Sequence, residues 1–511
     1  MMKMIKNIKV VFVAIFTLVA VTSCLEKYPD SAIQTEKAMK TYDDAVQVNT
    51  GIYAMLKSSS LYTGYLTLLP DIQTDLVYAI NGYSNQFGSF WLWQLRSTTA
   101  EVESVYASLY SVISNCNFYF ENIEEVKANT IDDAKLSNLE YYTGEVYAMR
   151  ALAYSELIKL FCKAYDPATA KDELGVVLRK YYSKPEEAVR ASLYDSYQFV
   201  LEDLKKAEDI FDEEYDGYST IYTSKGMIEA LRARVALYMQ DWETAIDYST
   251  RLIESKEYSL ASARLYYTNT QSFFKYMWTN DVATEIIWRI YLTPESYGGI
   301  LGSPFLGRNS DKVNYYPDYV PANWVLNAYT AKDLRYGAYF RTIRTGHSHL
   351  LTCPLLVKYE GNESFINSIY TYEISMPKPF RLAEQYLIRA EAYCRQATPN
   401  YSAAANDLAK LRQNRYDASS VSVSLNAENF IETIATERVL ELYMEGHRLQ
   451  DLKRWGKLYN EGKGFERTPQ AQSLEEGSRI KKSADDYMFV WPIPRHEVEA
   501  PGSRVQQNDG Y

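Results

Sequence analysis

The charges between residues 437 and 456 recur at helical spacing, and that stretch constrains the fold more than any other part of the chain. Glu437, Glu441 and Glu445 stand four apart, and Arg448 and Asp451 continue the row. Leu440, Leu442, Tyr443, Leu449, Leu452 and Trp455 cover the other face. Such a pattern folds as an amphipathic helix, expected here over about 428–455. Acids and bases at i, i+3 and i, i+4 read as an intrahelical ion network that orders the last turns before Gly446 or Gly456. A metal site built on the carboxylates and His447 is the other chemistry such a row allows, but the ion network is the reading taken and no metal is expected.

Helical periodicity extends over most of the chain, near 41–57, 100–127, 135–165, 187–211, 223–239, 242–255, 379–397 and 401–416. Three segments share a local pattern. Arg150-Ala-Leu-Ala-Tyr154, Arg234-Val-Ala-Leu-Tyr238 and Arg389-Ala-Glu-Ala-Tyr393 each place a Tyr four residues after an Arg, with Ala between. Second helices follow two of them, opening Trp242-x-x-Ala245 and Tyr401-x-x-Ala404. Small Ala at a crossing lets two helices approach closely, and the aromatic caps the pair. This is the logic of tetratricopeptide-like hairpins. Copy spacing is irregular, so the expectation is scattered hairpins in a mostly α scaffold, a single domain over 41–511.

Residues 256–378 depart from that pattern, being dense in Tyr, Trp, Gly, Pro and Asn. The run from Pro294 to Pro321 reads as long ordered loops. Residues 81–95 form a second such loop between helices. Loops of this length in a compact protein usually carry function. The chain holds 47 tyrosines, and Tyr and Trp suit polar ligands with apolar faces, because each couples a flat ring to a hydrogen-bonding tip. Sugars are such ligands. The tail from Asp486 to Tyr511 reads as strand and turn.

The N-terminus is a targeting segment. Lys3, Lys6 and Lys9 precede an apolar run from Val10 to Val21, and Val21-Thr22-Ser23-Cys24 looks like a bacterial lipobox. Residues 1–23 are then a lipoprotein signal peptide, Cys24 is the lipidation site, and 24–40 is a lipidated tether reaching a first helix near Thr41. Acyl chains on one cysteine hold a protein at a bilayer, each buried methylene contributing about 0.8 kcal/mol. Losing three lysines and no acid shifts the net charge from −11 to −14. That acidity speaks against nucleic-acid binding. Cys116, Cys162, Cys353 and Cys394 lack C-x-x-C spacing, which argues against structural zinc and favours isolated buried thiols.

Catalytic motifs are incomplete. Gly82-Tyr83-Ser84-Asn85-Gln86 lacks the second Gly of a nucleophile elbow. His496-Glu497-Val498-Glu499-Ala500 has Ala where a zinc-binding H-E-x-x-H needs its second His. Gly456–Gly464 has neither the spacing nor the Ser/Thr of a phosphate-binding loop. His347-Ser348-His349 lacks a third metal ligand. Paired carboxylates of a glycoside hydrolase have no local motif here. No enzyme activity and no cofactor are expected.

The 437–456 stretch resembles the C-terminal signature of the SusD/RagB family of surface glycan-binding lipoproteins. That pattern runs Glu-Arg-x-x-Glu-Leu-x-x-Glu-Gly-x-Arg-x-x-Asp-Leu-x-Arg-Trp-Gly, and each defining position is filled. Phe489-Val490-Trp491-Pro492-Ile493-Pro494 and the ending Gln507-Asn508-x-Gly510-Tyr511 are similar to its C-terminal element. Arg381–Ala392 resembles the helix before the signature, and Asp71-Ile72-Gln73-Thr74-Asp75 resembles an N-terminal Gly-Asp-x-x-x-Asp, with Pro70 where Gly is usual. The resemblance implies capture of an oligosaccharide or polysaccharide at the bacterial surface. It also implies a lipid anchor in the outer membrane facing the exterior, and a SusC-like TonB-dependent transporter as partner. A peptide-binding RagB-like surface lipoprotein is the alternative. Glycan contact is expected from Tyr83, Asn85, Trp91 and Trp93 in the first loop, and from Tyr297, Tyr315, Tyr316 and Trp324 in the second.

Overall fold

A computed structural model describes residues 39–211, 219–307, 314–347, 352–366, 372–418, 421–458, 464–471 and 473–511. Cys24, the signal segment, most of the tether and the Ser348-His349 pair lie outside the described residues. Several helices begin where the sequence supplies a cap. Thr41 and Asp44 form a capping box that opens α1 (Tyr42–Met55). Then follow α2 (Tyr65–Ile72), α3 (Gly88–Trp91) and the long α4 (Ala100–Asn129). Side chains of Asp132, Ser192, Ser224 and Asp241 cap α5 (Asp133–Phe161), α6 (Leu193–Ile210), α7 (Lys225–Met239) and α8 (Trp242–Glu254). Later come α9 (Asn323–Ala328), α10 (Leu382–Arg395), α11 (Tyr401–Gln413), α12 (Phe430–Glu441) and α13 (Arg448–Leu458). The protein is mostly helical, and its strands are short.

Consecutive helices pack as pairs, α4 on α5, α7 on α8 and α10 on α11. The arginine of each repeated Arg-to-Tyr pattern is buried and bridges to a neighbouring helix. Arg150 on α5 meets Asp203 on α6 at 2.7 and 2.8 Å. Arg234 on α7 meets Glu384 on α10 at 2.7 and 2.6 Å, and Arg389 on α10 meets Asp407 on α11 at 2.9 and 2.7 Å. The small alanines allow the close approach, and the bidentate pair fixes the rotation of one helix against the next. Buried apolar side chains form one large cluster and a smaller one on α10, α11 and α12. Cys116, Cys162, Cys353 and Cys394 are free and buried.

The stretch 428–455 is two helices, not one. Between α12 and α13 the chain turns, with Met444 and Gly446 at φ of +59° and +82°. A Cβ on Gly446 would lie 2.4 Å from the Leu66 carbonyl oxygen, so the turn needs glycine. Asp71 accepts the N–H groups of Gly446 and Arg448 at 3.0 and 2.8 Å. Asp75 takes the Arg448 guanidinium through bonds of 3.0 and 2.9 Å. The Asp71–Asp75 segment thus holds the start of a helix 375 residues away in the chain.

The carboxylate row is not an intrahelical network either. Glu437, Glu441 and Glu445 point inward and find partners on distant segments. Glu441 meets Arg335, Arg381 and Arg415 at 3.0, 3.0 and 2.9 Å. Glu437 meets Arg335 and Arg412 at 2.7 and 2.6 Å, and Glu445 meets Lys358 and Arg381, each at 2.7 Å. Glu285 joins Arg381 and Arg415 at 2.6 and 2.9 Å, and Asp333 joins Arg335 at 2.7 Å. Each acid in this set is matched by a cation. Burial pushes the three glutamates' carboxyls up, but the surrounding guanidinium charges outweigh it and hold all three below the usual range. His447 is buried apart from the row, and burial with nearby Arg234 and Arg438 keeps its imidazole neutral.

Six short strands frame the loops: β1 (Val77–Ala79), β2 (Ile286–Trp288), β3 (Tyr319–Pro321), β4 (Phe340–Arg344), β5 (Thr352–Leu356) and β6 (Phe380–Arg381). They pair antiparallel as β1–β3, β2–β6 and β4–β5. The tail differs from the strand expected of it. It makes a 3-10 turn at Tyr487–Phe489 and a short helix at Arg495–Glu499. Trp491 anchors it, buried with its indole N–H on Gln73 Oε1 at 2.9 Å.

Candidate ligand-binding face

The β1–β3 ladder decides which loop residues can meet. Val77 faces Pro321, Tyr78 faces Val320 and Ala79 faces Tyr319. The Ile80 N–H continues the ladder to the Asp318 carbonyl at 3.1 Å. The chain leaving β1 therefore emerges beside the chain entering β3. Gly82 and Asn85, at φ of +88° and +66°, turn the first loop back over this end. Ser84 locks it, donating N–H and Oγ–H to the Asp318 carboxylate at 2.5 and 2.7 Å. The Tyr319 hydroxyl donates to the Gln86 carbonyl at 2.6 Å.

Tyr83, Asn85, Tyr315 and Tyr316 gather on this end. Tyr83 stands edge-on to Tyr319, ring centroids 6.3 Å apart, and its hydroxyl donates to Asn85 Oδ1 at 2.8 Å. Tyr316 is 40% exposed and stands edge-on to His347, 5.5 Å away. His347 Nε2 lies 3.0 Å from the Pro317 carbonyl oxygen. A Cβ on Gly346 would lie 2.5 Å from the Tyr316 ring, so the ring rests on bare backbone there. Arg341, paired with Glu360 at 2.5 and 3.0 Å, reaches the Tyr315 hydroxyl at 3.5 Å. The face offers partly exposed rings, a side-chain amide and a neutralised ion pair. That set suits a neutral polar ligand with flat apolar faces.

The other four expected residues are not on this face. Trp91 and Trp93 are core, with 0% and 3% exposure, and neither can stack on a ligand. The Arg467 guanidinium lies 3.5 Å from the Trp91 ring centroid. Trp93 donates its indole N–H to the Gln73 carbonyl at 2.5 Å and packs on Phe465 and Phe489. The positive φ of Phe87 and Trp93 folds the second half of the loop inward. Tyr297 is half-buried on a segment tied to the α1–α2 turn, where the Gly299 N–H donates to Thr63 Oγ1 at 2.8 Å. Trp324 follows β3 and so stands at the opposite end of the ladder. Its indole N–H donates to the Asp75 carbonyl at 2.8 Å.

Residues 352–511 match the model of the SusD family, and residues 24–237 match the model described as "Starch-binding associating with outer membrane". The chain is a SusD-like protein. SusD-like protein P38 of Formosa agariphila is 26% identical over 552 aligned positions, covering 100% of both chains. SusD-like protein P25 of the same organism is 23% identical, covering 88% of this chain and 90% of its own. A SusD superfamily protein of Bacteroides thetaiotaomicron superposes with a TM-score of 0.76 at 22% identity, over 92% of this chain and 99% of its own. A laminarin-binding SusD-like protein superposes at 0.69 with 19% identity, over 93% of this chain and 100% of its own. At such identities the structural likeness is one of fold.

Sequence reasoning missed one residue that braces the first loop of this SusD-like protein from beneath. Buried Arg467 donates to the carbonyls of Gln73, Thr74 and Trp91, at 3.0, 2.7 and 2.5 Å, joining the end of α2 to α3. Burial pushes its pKa down to about 9. Only the two-residue strand context Phe465-Glu466 marks its position in the sequence, which was too little to find it.

Proposed function

We propose that this SusD-like protein captures an oligosaccharide or polysaccharide at the bacterial outer membrane and passes it to a SusC-like TonB-dependent transporter. It catalyses no reaction. Tethering through lipidated Cys24, after removal of residues 1–23, places the folded single domain at the cell exterior. The observation that carries the reading is the convergence of Tyr83, Asn85, Tyr315 and Tyr316 on one end of the β1–β3 ladder. The outer-membrane, starch-binding description of the family matched by residues 24–237 and the laminarin-binding structural relative support it. Binding needs no chemistry: rings stack on sugar faces, and Asn85 and Arg341 meet hydroxyls.

The test is a glycan array followed by calorimetry on Tyr83→Ala and Tyr316→Ala. Loss of a stacked ring near the centre of a site is worth ~2 kcal/mol or more, so each variant should bind at least tenfold more weakly with unchanged melting. Wild-type affinity in both variants, or binding of peptides and no glycan, refutes the reading.

A further inference from the structure

At the far end of the same ladder lies a cleft of about 560 Å³, between α9 and the turn at Thr468–Gln470. We infer that this cleft is a second sugar-binding site, built on Trp324, Asn323 and Asn327; the inference rests on the reading of glycan capture. Trp324 is 36% exposed, and its ring cannot swing, because Asp75 holds the indole N–H. Asn323 and Asn327 are exposed and one helical turn apart, on the same side of α9. Both line the cleft, and no hydrogen bond to either side-chain amide is present among the described residues. The Arg448 guanidinium backs one face of the ring, 5.6 Å from its centroid; the rest of the exposed ring, held in a fixed orientation beside two free amides, is a stacking platform with hydrogen-bonding groups at its edge.

The opposite wall is as firmly placed. Gln470 Oε1 accepts the Asn323 backbone N–H at 2.9 Å, and its Nε2 donates to the Pro321 carbonyl at 3.1 Å. The Thr468 N–H donates to the Tyr78 hydroxyl at 2.7 Å. The walls thus need little ordering when a ligand enters, which removes a main cost of binding. Charge selects a neutral ligand. Arg448, the cation among the described lining residues, already shares two hydrogen bonds with Asp75, and Glu466 is paired with Lys481 at 2.9 Å. An anion would find no free positive charge there. A neutral glycan finds a ring, two amides and the Thr468 hydroxyl.

The two ends of the ladder are a fixed distance apart. From Asp75 to Ser84 the chain spans at most roughly 30 Å at about 3.3 Å per residue. A hexaose is itself about that long and a polymer longer, so either could engage both ends at once, whereas a disaccharide is short enough to report the two sites separately.

The experiment titrates the mature chain, purified in detergent, with maltose, laminaribiose, mannobiose and xylobiose by calorimetry. The variants are Trp324→Ala, the double variant Asn323→Ala/Asn327→Ala and Tyr316→Ala. The double variant changes only exposed amides, so it keeps the test decisive if Trp324→Ala folds poorly. Expected are two short oligosaccharides per wild-type chain, and one per chain in the double variant with the remaining Kd within twofold. Tyr316→Ala should weaken the other site alone. For the polymer of the best-binding sugar, the double variant should lose at least tenfold in affinity. One oligosaccharide per wild-type chain, or two in the double variant, overturns the second site and leaves glycan capture standing. Failure of wild type to bind any of the four sugars brings down both.

Discussion

Replacing Glu441 by alanine removes the carboxylate shared by Arg335, Arg381 and Arg415. All four side chains are essentially fully buried. Asp333 still neutralises Arg335, and Glu285 still serves both Arg381 and Arg415, so the loss is one charge in an interior that was balanced. Removing one partner of a buried ion pair typically costs 3–5 kcal/mol, because a desolvated charge is left uncompensated. Unfolding entropy near 2.1 cal/mol/K per residue gives a folded body of roughly 450 residues about 1 kcal/mol per kelvin. The expected fall in Tm is therefore about 3–5 °C. Differential scanning calorimetry measures it, and glycan calorimetry on the folded variant should show wild-type affinity. A Tm within 1 °C of wild type would mean that the network adds nothing to stability. Lost binding at unchanged Tm would mean that the signature helices belong to the ligand site.

Two further outcomes follow from other parts of the chain. Burial pushes Glu145 up to about 7 against the hydrogen bonds it receives from Asn49 and Tyr53; a carboxyl raised in the fold contributes stability that is full below its unfolded pKa and lost as pH rises through 7, so Glu145→Gln should show a smaller drop in Tm than wild type between pH 5 and pH 8. Under the lipidation proposed above, Cys24→Ala removes the only thiol that could accept the acyl group, so labelled palmitate incorporation and membrane association should both disappear; a membrane-bound variant refutes the lipoprotein assignment.

The helices were legible in the sequence because amphipathic spacing and capping side chains are local. Ser224, Asp241 and the Arg234-to-Tyr238 pattern can be read without knowing what they face. The destination of a charge cannot. The spacing of Glu437, Glu441 and Glu445 showed a helical face, but their partners are Arg335, Lys358, Arg381, Arg412 and Arg415, and only the tertiary fold brings those together. The break at Gly446 was hidden for a similar reason: the acids continue in register across it, and the backbone that forbids a side chain there belongs to Leu66. In the loops, glycine and asparagine suggested exposure for every ring nearby. The run Phe90-Trp91-Leu92-Trp93 argued otherwise, since consecutive large apolar residues seek burial, and the structure follows that signal. Tyr83 and Tyr316 are brought to the same end of the ladder by a three-residue strand pairing too short to leave a periodic trace.

The balanced charges inside the scaffold also bear on how the chain resists proteolysis. Their carriers are spread from Glu285 to Glu445, so peeling away any one segment exposes its own residues and also strands a partner's charge in the interior. Partial opening then approaches the cost of complete unfolding, and few conformations present a stretch of scaffold long enough to enter a protease. Under limited proteolysis, cleavage should be confined to the outer loops, and a nicked chain should remain assembled.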